Sequence, residues 1–282
     1  MIHKDFFRLG PAVKAVVIFS VFIMLALAIP ELKTPINASG VLAAASVFYS
    51  ILLGFYIAAA MTNLSRLKTL VAVETGALIA VYNIVKMALP ERLDSTRDAI
   101  DDYLIKRFDY EVHNYDEPTT AEFFAIFNVL KGANPKSAGE TAALQYIAEG
   151  EYYVSQARRE TTIVGARIVT PVSWFVLSVL SLVIIVCLFV MQTSSLTSHL
   201  ITALLSASAI SALFILDDVD GNRFGEDQFA INTYQDVFHA MGELAYYPRR
   251  YIEMGRYEPQ EKEYRVGHGK DVTIVKHPNH RK

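Results

Sequence analysis

Charge is missing from two long stretches of this sequence. No Asp, Glu, Lys or Arg occurs from Thr34 to Ser65, and none from Ile168 to Leu216. Cysteine is nearly absent too: the single Cys187 lies inside the second stretch, which excludes internal disulfides and cysteine-based zinc sites. A basic excess is lacking, since the formal net charge is −3 over 282 residues. Nucleic acid is therefore not an expected partner, because it calls for a basic face. No G-x-x-x-x-G-K, H-E-x-x-H, G-x-S-x-G or dinucleotide fingerprint occurs, so no motif supports an enzyme.

What is present is apolar. Hydrophobic residues make up 52% of the chain and charged residues 20%, with a mean hydropathy of +0.29. That is richer in apolar residues than an average soluble domain. A helix crossing the hydrocarbon of a bilayer needs roughly 20 apolar residues. Pro11 to Ile29 meets this with one charge, Lys14, near the end where it can snorkel. Val41 to Met61 meets it without any. The run from Ile168 to Leu216 is about twice one span and divides at "MQTSSLTSH", giving Ile168–Val190 and Leu200–Leu216.

The expected fold class is thus all-α: an integral membrane protein with four transmembrane helices in two hairpins, and helices extending into a cytoplasmic region. The expected divisions are a hairpin over 1–62, a cytoplasmic helical region over 63–167, a second hairpin over 168–216, and an acidic turn, helix and tail over 217–282. The first span reads as a retained anchor, because "PELKTP" stands where a cleavage site wants small residues. Lys4, Arg8 and Lys14 precede span one, Arg66 and Lys68 follow span two, and Arg158, Arg159 and Arg167 precede span three. Only Lys33 lies in an outer turn. The Lys/Arg bias of short flanks places both termini in the cytoplasm, and a bacterial inner membrane is the expected site.

Residues 63–167 are too polar to span. Leu67, Leu70, Val71, Ala77, Leu78, Val81, Ile84 and Val85 follow helical spacing. They predict that span two continues past the membrane surface as far as Pro90. A second helix carries Leu93, Ile100, Leu104 and Phe108 on one face. Thr119 with Glu122, and Ser137 with Glu140, read as capping boxes. The last of these helices is expected to enter span three almost without a break, with Pro171 kinking the junction. Past one more helix, "NTYQDVFHAMGEL", the tail is rich in Tyr, Pro, Gly and charge. It reads as surface-draped or partly disordered, with its histidines on the surface.

Two constellations could carry function. In span two, Ser46, Tyr49, Ser50, Leu53, Tyr56, Ala60 and Asn63 recur at spacings of three and four as a partly polar stripe. Polar atoms in lipid must face protein or water. The stripe therefore either lines a water-filled pore or packs helix against helix. In span four, Ala203, Ala207 and Ser211 with Thr202 and Ser206 suggest a packing face. No acid or base lies deep in any span, which speaks against proton-coupled transport and leaves a channel open. At the end of span four come Asp217, Asp218, Asp220, Glu226 and Asp227. Oxygen ligands in a turn suit calcium, but neither Gly221 nor Gly225 fits the sixth position of an EF-hand loop. The alternatives are a solvated acidic cap, a calcium site, or pairing with Arg158, Arg159 or Arg167. No other cofactor is expected.

The order of hairpin, long helices, hairpin and acidic exit carries a resemblance. Its residues are Glu74 with "ALIAVYNIVKMALPE", then "QARRETTIVGARIVTPVSW", then "LITALLSASAISALFILDDVDGNRFG". Over about residues 40 to 230 the chain resembles the bestrophin-like domain family of four-span membrane proteins. Tyr82 to Pro90, Arg158 to Trp174, and Asp220 with Phe224 and Gly225 fall at the family's marked places, with Arg223 where the family has proline. The resemblance implies a homo-oligomeric channel for small ions, with anions first, whose second span lines the pore. It also implies a calcium clasp through "FGED" at Phe224–Asp227. The other reading is a non-conducting membrane scaffold or sensor whose cytoplasmic helices bind a protein partner.

Overall fold

The computed structural model describes residues 11–31, 37–221, 226–253, 257, 259–269 and 271–276; at 11–12 and 226–230 it describes the backbone. The chain is mostly helical and divides into two compact units. One comprises Met1–Thr62 and Arg167–Gly221, the other Asn63–Ala166 and Asn222–Lys282.

The first unit holds α1 (Pro11–Ala28), the first half of α2 (Ser39–Ala88), α6 (Pro171–Val190) and α7 (Leu196–Asp220). Among the described residues, α2, α6 and α7 are long and apolar enough to cross a membrane, and the apolar α1 is shorter. Phe48, Phe55, Phe175 and Leu182 are each more than half exposed. Such side chains belong in lipid rather than water. Inside the unit, Ala45, Tyr49 and Leu53 of α2 pack with Leu177, Ile184 and Leu188 of α6 and Ala209 and Leu216 of α7. Helix α1 lies along α7. Thr202, Ala203, Ser206 and Ala207 are buried there, as expected of a face of small residues that lets backbones approach. The buried Gln192 Nε2 donates to the carbonyls of Ala26 and Ile29, at 2.9 and 3.2 Å, and so satisfies the open end of α1.

Helix α2 is one uninterrupted helix of 50 residues, ending just before the expected Pro90. There Leu89 leaves the helix and Pro90–Arg92 form a 3-10 turn. The second unit adds α3 (Leu93–Arg107), α4 (Thr120–Asn128), α5 (Ala138–Val164) and α8 (Glu226–Met241). Ile100, Leu104 and Phe108 enter one core with Val71, Leu78, Val81 and Val85 of α2 and Tyr234 and Phe238 of α8. Ser137 caps α5 by accepting from Glu140 N at 3.2 Å, while Glu140 reaches back to Lys136 N. Thr119 does not cap α4. Its hydroxyl donates to the Tyr115 carbonyl at 2.7 Å instead.

Two further expectations are corrected. Helix α5 does not run into the next span: it stops at Val164, and α6 begins afresh with Pro171 in its first turn and Thr170 as its side-chain cap. Proline at that position starts a helix rather than kinking one. The described part of the tail is also packed into the fold rather than draped over it. It forms a three-stranded sheet, β1 (Tyr246–Pro248), β2 (Glu263–His268) and β3 (Asp271–Lys276), separated after β1 by the short α9 (Arg249–Glu253). β1 and β2 are parallel, with Tyr246 opposite Arg265; β2 and β3 form a hairpin, with His268 opposite Asp271. Gly269, at φ +54°, supplies the left-handed turn residue. Tyr246, Tyr247, Tyr264 and Val266 are buried in the same core as the helices. Arg265 fixes the sheet with two bonds of 2.7 and 2.8 Å to Asp101 of α3. All-α thus describes most of the chain but not its tail.

Candidate functional site

The stripe on α2 divides when its side chains are placed. Tyr49 and Leu53 are buried in the core of the first unit, and the Tyr49 hydroxyl donates to the Ala209 carbonyl at 2.6 Å. Tyr56 is half-buried, with its hydroxyl 2.8 Å from Ser173 Oγ. Ala60 is buried. Asn63 donates to the Val164 carbonyl at 3.2 Å. These bonds inside one chain are those of a packing face. Ser46 is half-buried and Ser50 is exposed. Ser50, Gly54 and Ala58 form an exposed row of small residues, beside the exposed and larger Val47, Ile51 and Phe55. A Cβ added at Gly54 would meet nothing within 4 Å.

The acids at the end of α7 take separate partners. Asp217 Oδ1 lies 3.3 Å from Arg167 Nη1, the pairing expected of one of the three arginines. Asp218 Oδ2 lies 3.9 Å from Lys14 Nζ. Asp220 is buried and accepts from the backbone N–H groups of Ile168 and Val169, at 2.8 and 3.1 Å. It therefore anchors the segment leading into α6. Among the described residues no three acids, histidines or cysteines gather as a metal would need. The side chains of Glu226 and Asp227 lie outside the described residues, as do Phe224 and Gly225.

Among the described residues a denser polar constellation lies elsewhere, in the second unit. Glu74 of α2 is fully buried. Tyr103 of α3 donates its hydroxyl to Oε1, while Tyr115 and Tyr234 each donate to Oε2 at 2.8 Å. Arg107, also buried, donates from Nε to the Tyr234 hydroxyl at 2.7 Å. Its guanidinium lies 4.1 Å over the Tyr115 ring and 4.6 Å over that of Tyr234. Beside them the buried Arg158 of α5 binds Asp116 at 2.9 Å and Thr119 Oγ1 at 3.1 Å, 4.3 Å over the Phe123 ring. Formal charge balances: Glu74 against Arg107, and Asp116 against Arg158.

Burial, then the neighbouring Glu74 carboxylate, raises the Tyr103 and Tyr115 hydroxyls well above their ordinary 10.0. Burial dominates at Tyr234 as well, opposed by Arg107 and reinforced by Glu74. The phenols are thus held as donors, unsuited to nucleophilic or base chemistry. What the arrangement does is fix α2, α3, the loop before α4, and α8 to one another. Composition alone gave no sign of it. One signal was available: Glu74 is the only acid in α2 and falls three to four residues from Leu70, Val71, Ala77 and Leu78, on the apolar stripe itself.

Length and hydropathy of α2, α6 and α7, with phenyl and leucyl side chains turned outward, define an integral membrane protein. The sequence model of the Bestrophin-like domain matches residues 11–218. The chain belongs to the bestrophin-like family. The match includes α1 and ends before the "FGED" run. Neither the curated proteins nor the solved structures yield a match.

Proposed function

We propose that the chain is one subunit of a homo-oligomeric ion channel, with small anions as the first candidates, crossing the membrane four times in two hairpins with both termini in the cytoplasm. Family membership supports the channel class. The observation that carries the reading is on α2: an apolar helix with an open row of small residues, Ser50, Gly54 and Ala58, next to the half-open Ser46. Turned to the axis of a ring, that row leaves room for ions and offers hydroxyls to line their path. Of the expected lining residues, Ser46 and Ser50 take this role. Tyr49, Leu53, Tyr56 and Asn63 support the helix from behind.

Gly54→Leu tests it. The space around Gly54 is open within the chain, so the variant leaves the fold intact while narrowing the lumen. Purified protein in planar bilayers is expected to give currents that Gly54→Leu lowers or abolishes, with a chloride gradient setting the reversal potential. Absence of current from the parent protein, or identical currents from both, rejects the reading. A calcium clasp at Asp217, Asp218, Asp220, Glu226 and Asp227 is a separate proposal. Calorimetric titration without heat at millimolar calcium retires it. The scaffold reading draws on a different observation: Tyr146, Tyr152 and Tyr153 stand exposed on α5, where aromatic side chains suit a protein partner.

A further inference from the structure

One recess in the first unit is amphipathic in a particular way. Arg167, Trp174, Ile210, Leu213, Phe214 and Asp217 line a volume of about 420 Å³, within the roughly 300–1,000 Å³ typical of small-molecule sites. Its walls are apolar: Ile210, Leu213 and Phe214 on α7, and the indole of Trp174 in the first turn of α6. Its rim is charged at one end only. There the half-exposed Arg167 guanidinium and the Asp217 carboxylate stand 3.3 Å apart. Trp174 is the only tryptophan in the chain, and it lies on the same end as this pair. Tryptophan prefers the boundary between hydrocarbon and headgroups.

We propose that this recess holds a single glycerophospholipid whose headgroup carries both a phosphate and a primary ammonium, as phosphatidylethanolamine does. The inference rests on α6 and α7 crossing the membrane, but not on conduction. Charge complementarity selects the occupant. The phosphate meets Arg167, whose planar guanidinium can donate two bonds to phosphate oxygens. The ammonium meets the Asp217 carboxylate. The upper part of one acyl chain follows Ile210, Leu213 and Phe214. A purely anionic headgroup would compete with Asp217 for Arg167 and return no cation to that carboxylate.

The test is native mass spectrometry of the full-length protein, released from detergent micelles containing equal amounts of phosphatidylethanolamine and phosphatidylglycerol. The parent protein is expected to retain phosphatidylethanolamine in preference, by about fivefold for an ion pair at a partly exposed site. Asp217→Asn should remove that preference while keeping retention. Arg167→Gln should lower retention of both lipids. Leu213→Trp, which fills the recess, should lose both, with elution volume unchanged. Equal retention by the parent protein and Leu213→Trp overturns the proposal, and so does a parent preference for phosphatidylglycerol. A disulfide joining two copies through Leu213→Cys also overturns it, because the recess is then covered by protein. A chain that needs no detergent would instead undo the membrane reading beneath it, a result that these lipid comparisons cannot mimic.

Discussion

Removing the carboxylate at residue 74 should loosen the second unit more than any other single change of similar size. In Glu74→Ala three buried hydroxyls lose their acceptor and Arg107 loses its counter-charge. Hydrogen bonds to a charged group contribute roughly 1.5–3 kcal/mol each, but three bonds to one carboxylate are coupled and do not sum. Breaking a buried charge pair from one side costs about 3–5 kcal/mol, and that range is the expectation for the alanine variant. Glu74→Gln separates the two contributions. Its amide oxygen can still accept from Tyr115 and Tyr234, and its NH2 can donate to the Tyr103 hydroxyl once that hydroxyl rotates. The charge is lost but the hydrogen bonds are kept as neutral ones, so a smaller cost of about 1.5–3 kcal/mol is expected. For a unit of this size one kcal/mol shifts the melting temperature by about 2–4 °C. Thermal unfolding of the detergent-solubilised protein at a fixed scan rate should therefore fall by about 6–20 °C in the alanine variant, and by less in glutamine. A fall below about 2 °C in Glu74→Ala would refute the claim that the carboxylate organises this core.

Three further measurements bear on the fold. Tyr103, Tyr115 and Tyr234 have raised folded values, so the native state keeps protons that the unfolded state releases. Stability is then complete below about pH 10 and falls as pH rises beyond it, by about 1.4 kcal/mol per pH unit for each hydroxyl. Ultraviolet titration should show these phenols ionising only together with unfolding. Early ionisation of all fifteen tyrosines would contradict their burial. Arg265→Ala removes both bonds to Asp101 and should weaken docking of the sheet by roughly 2–3 kcal/mol. Limited proteolysis should then cut residues 246–276 at least tenfold faster, in the regime where cleavage follows local opening. Gln192→Leu leaves the Ala26 and Ile29 carbonyls without their donor. A loss of about 1–3 kcal/mol, read as a lower melting temperature, is expected; an unchanged value would mean that other groups serve them.

The apolar helices were legible because charge exclusion over long runs has few other causes. The continuation of α2 to Pro90 was legible from the spacing of Leu67, Leu70, Leu78, Val81 and Val85, and Ser137 from its capping pattern. Other features were hidden by chemistry that serves two purposes. Pro171 breaks a helix or begins one, and only the capping bond that Thr170 Oγ1 accepts from the Ser173 N–H decides between them. The tail looked polar because its buried surface is carried by tyrosines and a parallel strand pairing that no local pattern announces. The stripe of Ser46, Tyr49, Ser50 and Leu53 had the right period for a single face. A step of one residue around the helix divides it, since Tyr49 can satisfy its hydroxyl on the Ala209 carbonyl while the neighbouring Ser50 stays open. Glu74 was visible as a place in a family pattern, whereas its three donors come from positions 103, 115 and 234, which only the fold assembles.

The family match stops at residue 218, whereas Tyr234, Phe238, Tyr246 and Val266 complete the interior of the second unit. A chain trimmed to the matched segment would strip one hydroxyl from Glu74, take away the partner of Asp101, and leave a hydrophobic wall open to water. What cooperates in folding is longer than the segment that the family model matches. Fragments meant for expression should retain the strands as well as the spans.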